Sequence, residues 1–238
     1  MARRPNLRFQ ADPNIAEAGA LIGDPARAAM LLALVGGGAL PASELAFRGG
    51  VTPQAASAHL AKLVAGGLLC ATAEGRHRLF RLASPDVAHA LEAVAAIARP
   101  ARIVALSQSA ALQRLREARS CYDHLAGRLG VAVTDGLVAR GAIRLAGNEY
   151  AITRGGKRFF AELEVDVPEA RAKRRSFARA CTDWTERRPH LGGSLGAGLR
   201  DRFLAAGWVQ RNAHDRSLRV TDSGRTELAR RFGVRLER

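Results

Sequence analysis

Apolar positions recur at helical spacing through residues 15–35, IAEAGALIGDPARAAMLLALV, which predicts two helices divided at Asp24-Pro25. Asp24 fits an N-cap with Pro25 at the first helical position, and Gly36, Gly37 and Gly38 end the second helix. A short helix from about Pro41 to Phe47 follows, then a turn through Gly49 and Gly50. The next helix opens with Thr52 as N-cap and Pro53 in its first turn. Ala56, Leu60 and Leu63 give it an apolar stripe, while Gln54, Ser57, His59 and Lys62 form a polar one. LLCATAEGRHRLFRL predicts two strands joined at Glu74-Gly75, with Arg76, His77 and Arg78 at the tip. SPDVAHALEAVAAIA predicts a further amphipathic helix capped by Ser84. The order is that of a winged helix-turn-helix, whose second helix suits a major groove about 12 Å wide.

The second half of the chain repeats itself. After Pro100, ARIVALSQSAALQRLREARS predicts a connecting helix. HLAGRLGVAVTDGLVARGAI, from His124, then aligns without gaps to HLGGSLGAGLRDRFLAAGWV, from His190, with eight of twenty positions identical. Cys121 and Asp123 precede the first copy; Cys181 and Asp183 precede the second, where WTERRP is inserted before the histidine. Each copy leads to a strand ending in Thr and a T-x-x-G helix start, at Thr153 and at Thr221. Such self-similarity indicates an internal duplication with a period of about 60 residues. Leu125, Leu129, Val133 and Leu137, and in parallel Leu191, Leu195, Leu199 and Phe203, predict one amphipathic helix per copy. The fold class expected is mainly α with small β-hairpin wings: a winged helix-turn-helix over 15–98, a connecting helix over 99–120, and two winged-helix-like repeats over 121–168 and 169–238.

The net charge of +15 favours a polyanionic partner. Its weight is reduced because all but three of the 37 basic residues are arginine, alongside abundant Ala and Gly, as a GC-rich coding bias produces. The excess also lies outside the first 98 residues, so motifs rather than bulk charge point to nucleic acid. No apolar stretch is long enough for a transmembrane helix, and the basic opening segment lacks the apolar run of a secretory signal. A cytoplasmic bacterial protein without membrane partners is expected, with Cys70, Cys121 and Cys181 as free thiols or ligands.

The run from LIGDPARAAMLLAL through TPQAASAHLAKLVAGGLL to EGRHRLFRL resembles the arsenic-repressor (ArsR/SmtB) family of winged-helix regulators. The matching elements are D-P-x-R opening a helix, S-x-H-L in the recognition helix, the G-L-L exit and the G-R wing tip. The resemblance implies a homodimer packed through its first and last helices that binds an imperfect palindromic operator on double-stranded DNA, usually to repress. It also implies a base-reading face of Thr52, Gln54, Ser57, His59 and Lys62, and wing contacts from Arg76, His77 and Arg78. Two departures bear on the effector, which the sequence leaves unknown. The cysteine motif that soft-metal sensors of the family carry beside the first helix of the pair is replaced by SELAFRGG. Asp86 and His89 stand three apart on the last helix with only Glu92 nearby, as a solvated helix start would also have them.

The paired Cys and His of the repeats remain as candidate chemistry. Cys121 and His124 share a helical face if the following helix reaches back that far, and Pro189 with the inserted loop lets Cys181 turn toward His190. Three readings stay open. The four are buried structural residues; or they converge about a pseudo-twofold axis into a tetrahedral site for a soft transition metal such as zinc; or a thiol beside Arg119 or Arg179 has a lowered pKa and senses oxidant. As wider alternatives to an effector-controlled regulator, Cys121 or Cys181 serves as an enzyme nucleophile, or the chain is an architectural DNA-binding protein without effector. Two equivalent half-sites suit binding better than a single nucleophile, so no enzyme is expected. Trp184, Trp208 and Cys70 read as core residues.

Overall fold

The computed structural model describes residues 13–75, 77–99, 106–213 and 215–236. They form two compact units: Leu34 and the residues before it together with Ala39–Ala83, and Val35–Gly38 together with Ser84 onward.

The first unit runs α1 (Ile15–Ile22), α2 (Pro25–Leu34), β1 (Leu40–Pro41), α3 (Ala42–Gly49), α4 (Pro53–Ala65), β2 (Leu69–Glu74) and β3 (His77–Leu82). Its helix starts follow the capping residues in the sequence. Asp24 Oδ1 accepts from Arg27 N at 3.0 Å, and Thr52 Oγ1 accepts from Ala55 N at 3.3 Å with Pro53 in the first turn of α4. Gly50, at φ 63°, closes α3 in the left-handed conformation that glycine adopts without a Cβ clash. The antiparallel sheet is ordered β1-β3-β2, with Leu69 opposite Leu82 and Glu74 opposite His77. Met30, Leu31, Leu34, Leu45, Leu60 and Leu63 are fully or almost fully buried, and Leu69, Phe80 and Leu82 meet them from the sheet. Each contributes about 1.5–3 kcal/mol by leaving water, which fixes α4 on its apolar stripe and leaves the polar one outward.

The second unit runs α5 (Pro85–Ile97), α6 (Leu106–Glu117), β4 (Arg119–Cys121), β5 (His124–Ala126), α7 (Gly127–Ala139), β6 (Ile143–Ala146), β7 (Glu149–Ile152), α8 (Arg154–Glu162) and α9 (Val167–Ala172). It continues through β8 (Ala180–Thr182), β9 (Pro189–Leu191), α10 (Gly193–Ala205), β10 (Val209–Arg211), β11 (Leu218–Val220) and α11 (Asp222–Phe232). Each repeat is thus hairpin, helix, hairpin, helix. The helix, the hairpin ending in Thr and the capped helix lie where the duplication places them, with Thr153 Oγ1 accepting from Gly156 N and Thr221 Oγ1 from Gly224 N.

A different local structure opens each repeat. Cys121 and His124 do not sit on a helix; they face each other across the β4–β5 hairpin, as Cys181 and His190 do across β8–β9. The helices begin only at Gly127 and Gly193, which adopt φ of 72° and 74°. A Cβ at Gly127 would come within 2.6 Å of Arg116 O, and one at Gly193 within 2.7 Å of Phe177 O. Both glycines of the H-L-[AG]-G pattern are therefore required by the turn from strand into helix.

The repeats exchange packing: β5 lies against α10 and β9 against α7. Gly130 of α7 admits the Cβ of His190, and Gly196 of α10 admits that of His124. One core, including Leu129, Val133, Leu137, Leu195, Leu199 and Phe203, serves both copies. Phe232 closes it edge-on against Phe159 and Phe203, with ring centroids 5.5 and 5.4 Å away. Trp208 belongs to this core, 5.0 Å from Phe203. Among the described residues no helix is long and apolar enough to cross a membrane.

Candidate DNA-reading helix and candidate metal centre

The polar stripe of α4 is not uniform. Gln54, Ser57 and Lys62 are exposed, as is Thr52 at the cap. Two hydroxyls are committed to the helix: Thr52 Oγ1 caps it, and Ser57 Oγ donates to Pro53 O at 3.0 Å. His59 is half-buried, its Nδ1 3.4 Å from Arg27 Nη1 and 3.8 Å from Asp24 Oδ1. Arg27 is itself anchored, donating to Leu21 O and Ala20 O at 2.7 Å each. The R of D-P-x-R therefore positions the histidine of S-x-H-L, a link that neither motif shows alone. On the wing, Arg78 is exposed and stacks over Phe80, 5.3 Å from the ring centre. Arg76 lies outside the described residues, and the backbone of His77 opens β3.

In the second unit the two hairpins bring Cys121, His124, Cys181 and His190 together, with their ligand atoms all within 4.8 Å of one another. Cys121, His124 and His190 are wholly buried and Cys181 nearly so. The two sulfurs are 3.9 Å apart and the two Nε2 atoms 3.1 Å apart. The Cys181 thiol and burial push the Cys121 thiol up to about 12. That is opposite in direction to the lowered pKa of a nucleophilic or oxidant-sensing cysteine. Neither arginine expected to lower it is directed at a thiol. Arg119 pairs with Asp183, and Arg179 donates to His89 Nδ1 at 3.1 Å.

The carboxylates of the repeated C-x-D pattern stand behind the histidines. Asp123 Oδ1 is 3.5 Å from His124 Nδ1, and Asp123 Oδ2 receives Arg175 at 2.5 Å. Asp183 Oδ2 lies 3.3 Å from His190 Nδ1, out of line for a hydrogen bond, and accepts from Gly127 N at 2.7 Å. Its Oδ1 accepts from Arg119 at 3.0 Å and from Thr185 N and Oγ1. Burial alone would raise the Asp183 carboxyl, but His190, Arg119 and Thr185 together hold it well below the usual carboxylate range. Burial likewise opposes a proton on His190, yet Asp183 and Cys121 raise it to about 9. Arg119 is fully buried and lies 4.8 Å over the Trp184 ring. On α5, Asp86 and His89 are 3.9 Å apart, while Glu92 is buried against Arg216 rather than joining them.

Residues 22–69, which include the α2–α4 segment, match the helix-turn-helix domain family. Over 225 residues, 94% of this chain and 100% of the relative, the sequence is 39% identical to the uncharacterized HTH-type transcriptional regulator YdfF of Bacillus subtilis (strain 168). The chain belongs to the family of HTH-type transcriptional regulators. Similar solved structures include the homodimeric winged helix-turn-helix DNA-binding domain of Mb0332 from Mycobacterium bovis, a possible ArsR-family regulator. It is 29% identical over 40% of this chain and 86% of that one, with a TM-score of 0.33. Another is the cadmium sensor CMTR from Mycobacterium tuberculosis, 33% identical over 38% of this chain and 98% of that one, with a TM-score of 0.31.

This regulator binds DNA, and most of the residues just described stand out in its sequence. The parts that sequence reasoning missed are Arg27, as the partner of His59, and Arg119, as the buried counter-charge of Asp183. The repeated R-x-C-x-D at Arg119 and Arg179 was the available signal for the second.

Proposed function

We propose that this regulator reads an imperfect palindromic operator as a homodimer, represses from it, and takes its effector in the second unit. The observation that carries the reading is the outward row of α4. Gln54 is free to form the bidentate amide contact that adenine accepts, and Lys62 is placed for a phosphate or guanine. Thr52 and Ser57 hold the helix start, and His59, steadied by Arg27 and Asp24, orients its flank toward the backbone. Arg76, His77 and Arg78 supply the wing contacts to phosphate. Dimerisation is supported by apolar side chains left exposed on α1 and α5: Ile15 at 77% and Ile97 at 84%.

Fluorescence anisotropy with DNA from upstream of the protein's own gene, against random competitor, tests the reading. Competitor-resistant binding that weakens on Gln54→Ala while random-DNA binding stays unchanged is the expected result. Equal loss on both DNAs would show that α4 does not read bases.

A further inference from the structure

We propose that the second unit holds one zinc-like metal ion between its two repeats, bound by Cys121 and His124 from the first and Cys181 and His190 from the second.

The spacing fits a tetrahedral ion. With metal–sulfur bonds of about 2.3 Å and metal–nitrogen bonds of about 2.0–2.1 Å, a tetrahedron has S···S edges of about 3.8 Å and N···N edges of about 3.3 Å. Two of the six edges, S···S and N···N, are 3.9 and 3.1 Å here, and all four ligand atoms lie within 4.8 Å of one another. Such agreement comes from the hairpin register. Each Cys is the cross-strand partner of its His, and the exchanged packing sets one hairpin against the other.

The surroundings of the rings point the same way. Both Nδ1 atoms face carboxylates, Asp123 at 3.5 Å and Asp183 at 3.3 Å, the outer partners that metal-ligating imidazoles take, and each ring turns its Nε2 toward the other. The two Nε2 atoms are 3.1 Å apart, and an ion between them draws on the lone pair that each ring presents once any Nε2 proton is displaced. A shared proton would bridge the nitrogens and an S–H···S contact the sulfurs, but neither joins the two pairs. A metal ion satisfies all four.

The charges also balance. Two thiolates and a dication sum to zero, so the ion adds no net charge to a site that water does not reach. The supporting carboxylates are already balanced, Asp183 by Arg119 and Asp123 by Arg175. Sulfur and imidazole donors without an oxygen ligand select a borderline-soft ion over magnesium or calcium. Four buried protein ligands leave no open position for water, so the site holds an ion rather than activating a nucleophile. Because its ligands come equally from both copies, the ion ties the repeats together, and its binding is coupled to folding of the unit. It supplies a ligand class for the effector control proposed above and rests on that reading only in this respect; the site itself is tested without DNA.

The test uses the full-length protein, reduced and metal-stripped without oxygen, titrated with Co²⁺. Tetrahedral ligand-field bands with thiolate-to-cobalt charge transfer, saturating at one equivalent per chain and displaced by Zn²⁺, are expected. Cys70→Ser leaves the spectrum unchanged, while Cys181→Ser loses a large part of the charge transfer. Should Cys181→Ser fail to fold by circular dichroism, the wild-type and Cys70→Ser titrations decide alone. No saturable uptake, a pale octahedral spectrum without charge transfer, or a Cys121–Cys181 disulfide persisting under reductant in place of metal would each overturn the proposal.

Discussion

Asp183→Asn removes one charge from a fully enclosed ion pair in the second unit while keeping the side chain's shape. Asp183 and Arg119 are both 0% exposed and 3.0 Å apart. A carboxylate only accepts, and here both oxygens do: Oδ1 from Arg119 and Thr185, Oδ2 from Gly127 N. An asparagine must turn its NH₂ toward one of those sets, placing donor against donor, and it leaves the buried guanidinium without its partner. Breaking a buried pair from one side costs about 3–5 kcal/mol. Glu92, 4.0 Å away, and the Trp184 face offset part of this, which places the loss near the lower bound. At about 2–4 °C per kcal/mol for a domain of 150–250 residues, Tm falls by about 6–12 °C. Differential scanning calorimetry of the reduced protein measures this directly. The sign with pH follows from the lowered folded pKa. The carboxylate's contribution is complete above its unfolded value of 3.8 and is lost as the pH falls below it, so wild type and variant converge in acid. A loss under about 1 kcal/mol at neutral pH would refute the assignment of this pair as a buried, mutually dependent one. The same variant weakens Co²⁺ binding by about 10–100-fold, because Asp183 positions His190 rather than touching the ion.

Gly196→Ala puts a Cβ 2.3 Å from Leu191 O and 3.1 Å from His124 Cβ, and is expected to lower stability by about 1–3 kcal/mol in a urea melt, while Gly155→Ala, whose Cβ meets nothing nearer than Thr153 Oγ1 at 3.7 Å, is tolerated. Lys62→Ala weakens operator and random DNA alike and reduces the slope of log affinity against log salt by about 1, whereas Gln54→Ala costs about 1–3 kcal/mol on the operator only; titrations at several salt concentrations separate the two. Stripping metal with a chelator lowers the thermal transition of the second unit, and one equivalent of Zn²⁺ restores it.

The first unit was legible because its signals are local. Caps at Asp24 and Thr52, an apolar stripe through Ala56, Leu60 and Leu63, and a glycine at the wing turn each act within a few residues, and each lies where the sequence placed it. The repeat was legible for another reason: duplicated packing leaves duplicated residues, so the pairing of Cys with His was visible without structure. What the sequence concealed was the local conformation that brings them together. Helical spacing of Leu125 with Leu129 and Val133 carried the predicted helix back to His124, yet Leu125 is buried from a strand. A three-residue strand is too short to show alternation, and only the left-handed Gly127 separates it from the helix. His59 shows the same limit in another form. Its place on the polar stripe follows from periodicity, but its contact with Arg27, thirty-two residues earlier, is tertiary.

Operator reading by α4 is best tested by in vitro selection of bound fragments from a random double-stranded library, using the purified full-length protein. The expected product is an imperfect palindrome whose half-sites lie about one helical turn, 10–10.5 base pairs, or a multiple of it apart, with that enrichment lost on Gln54→Ala. Recovery of DNA with no enriched sequence, at an affinity set by salt alone, would rule out base reading by this helix.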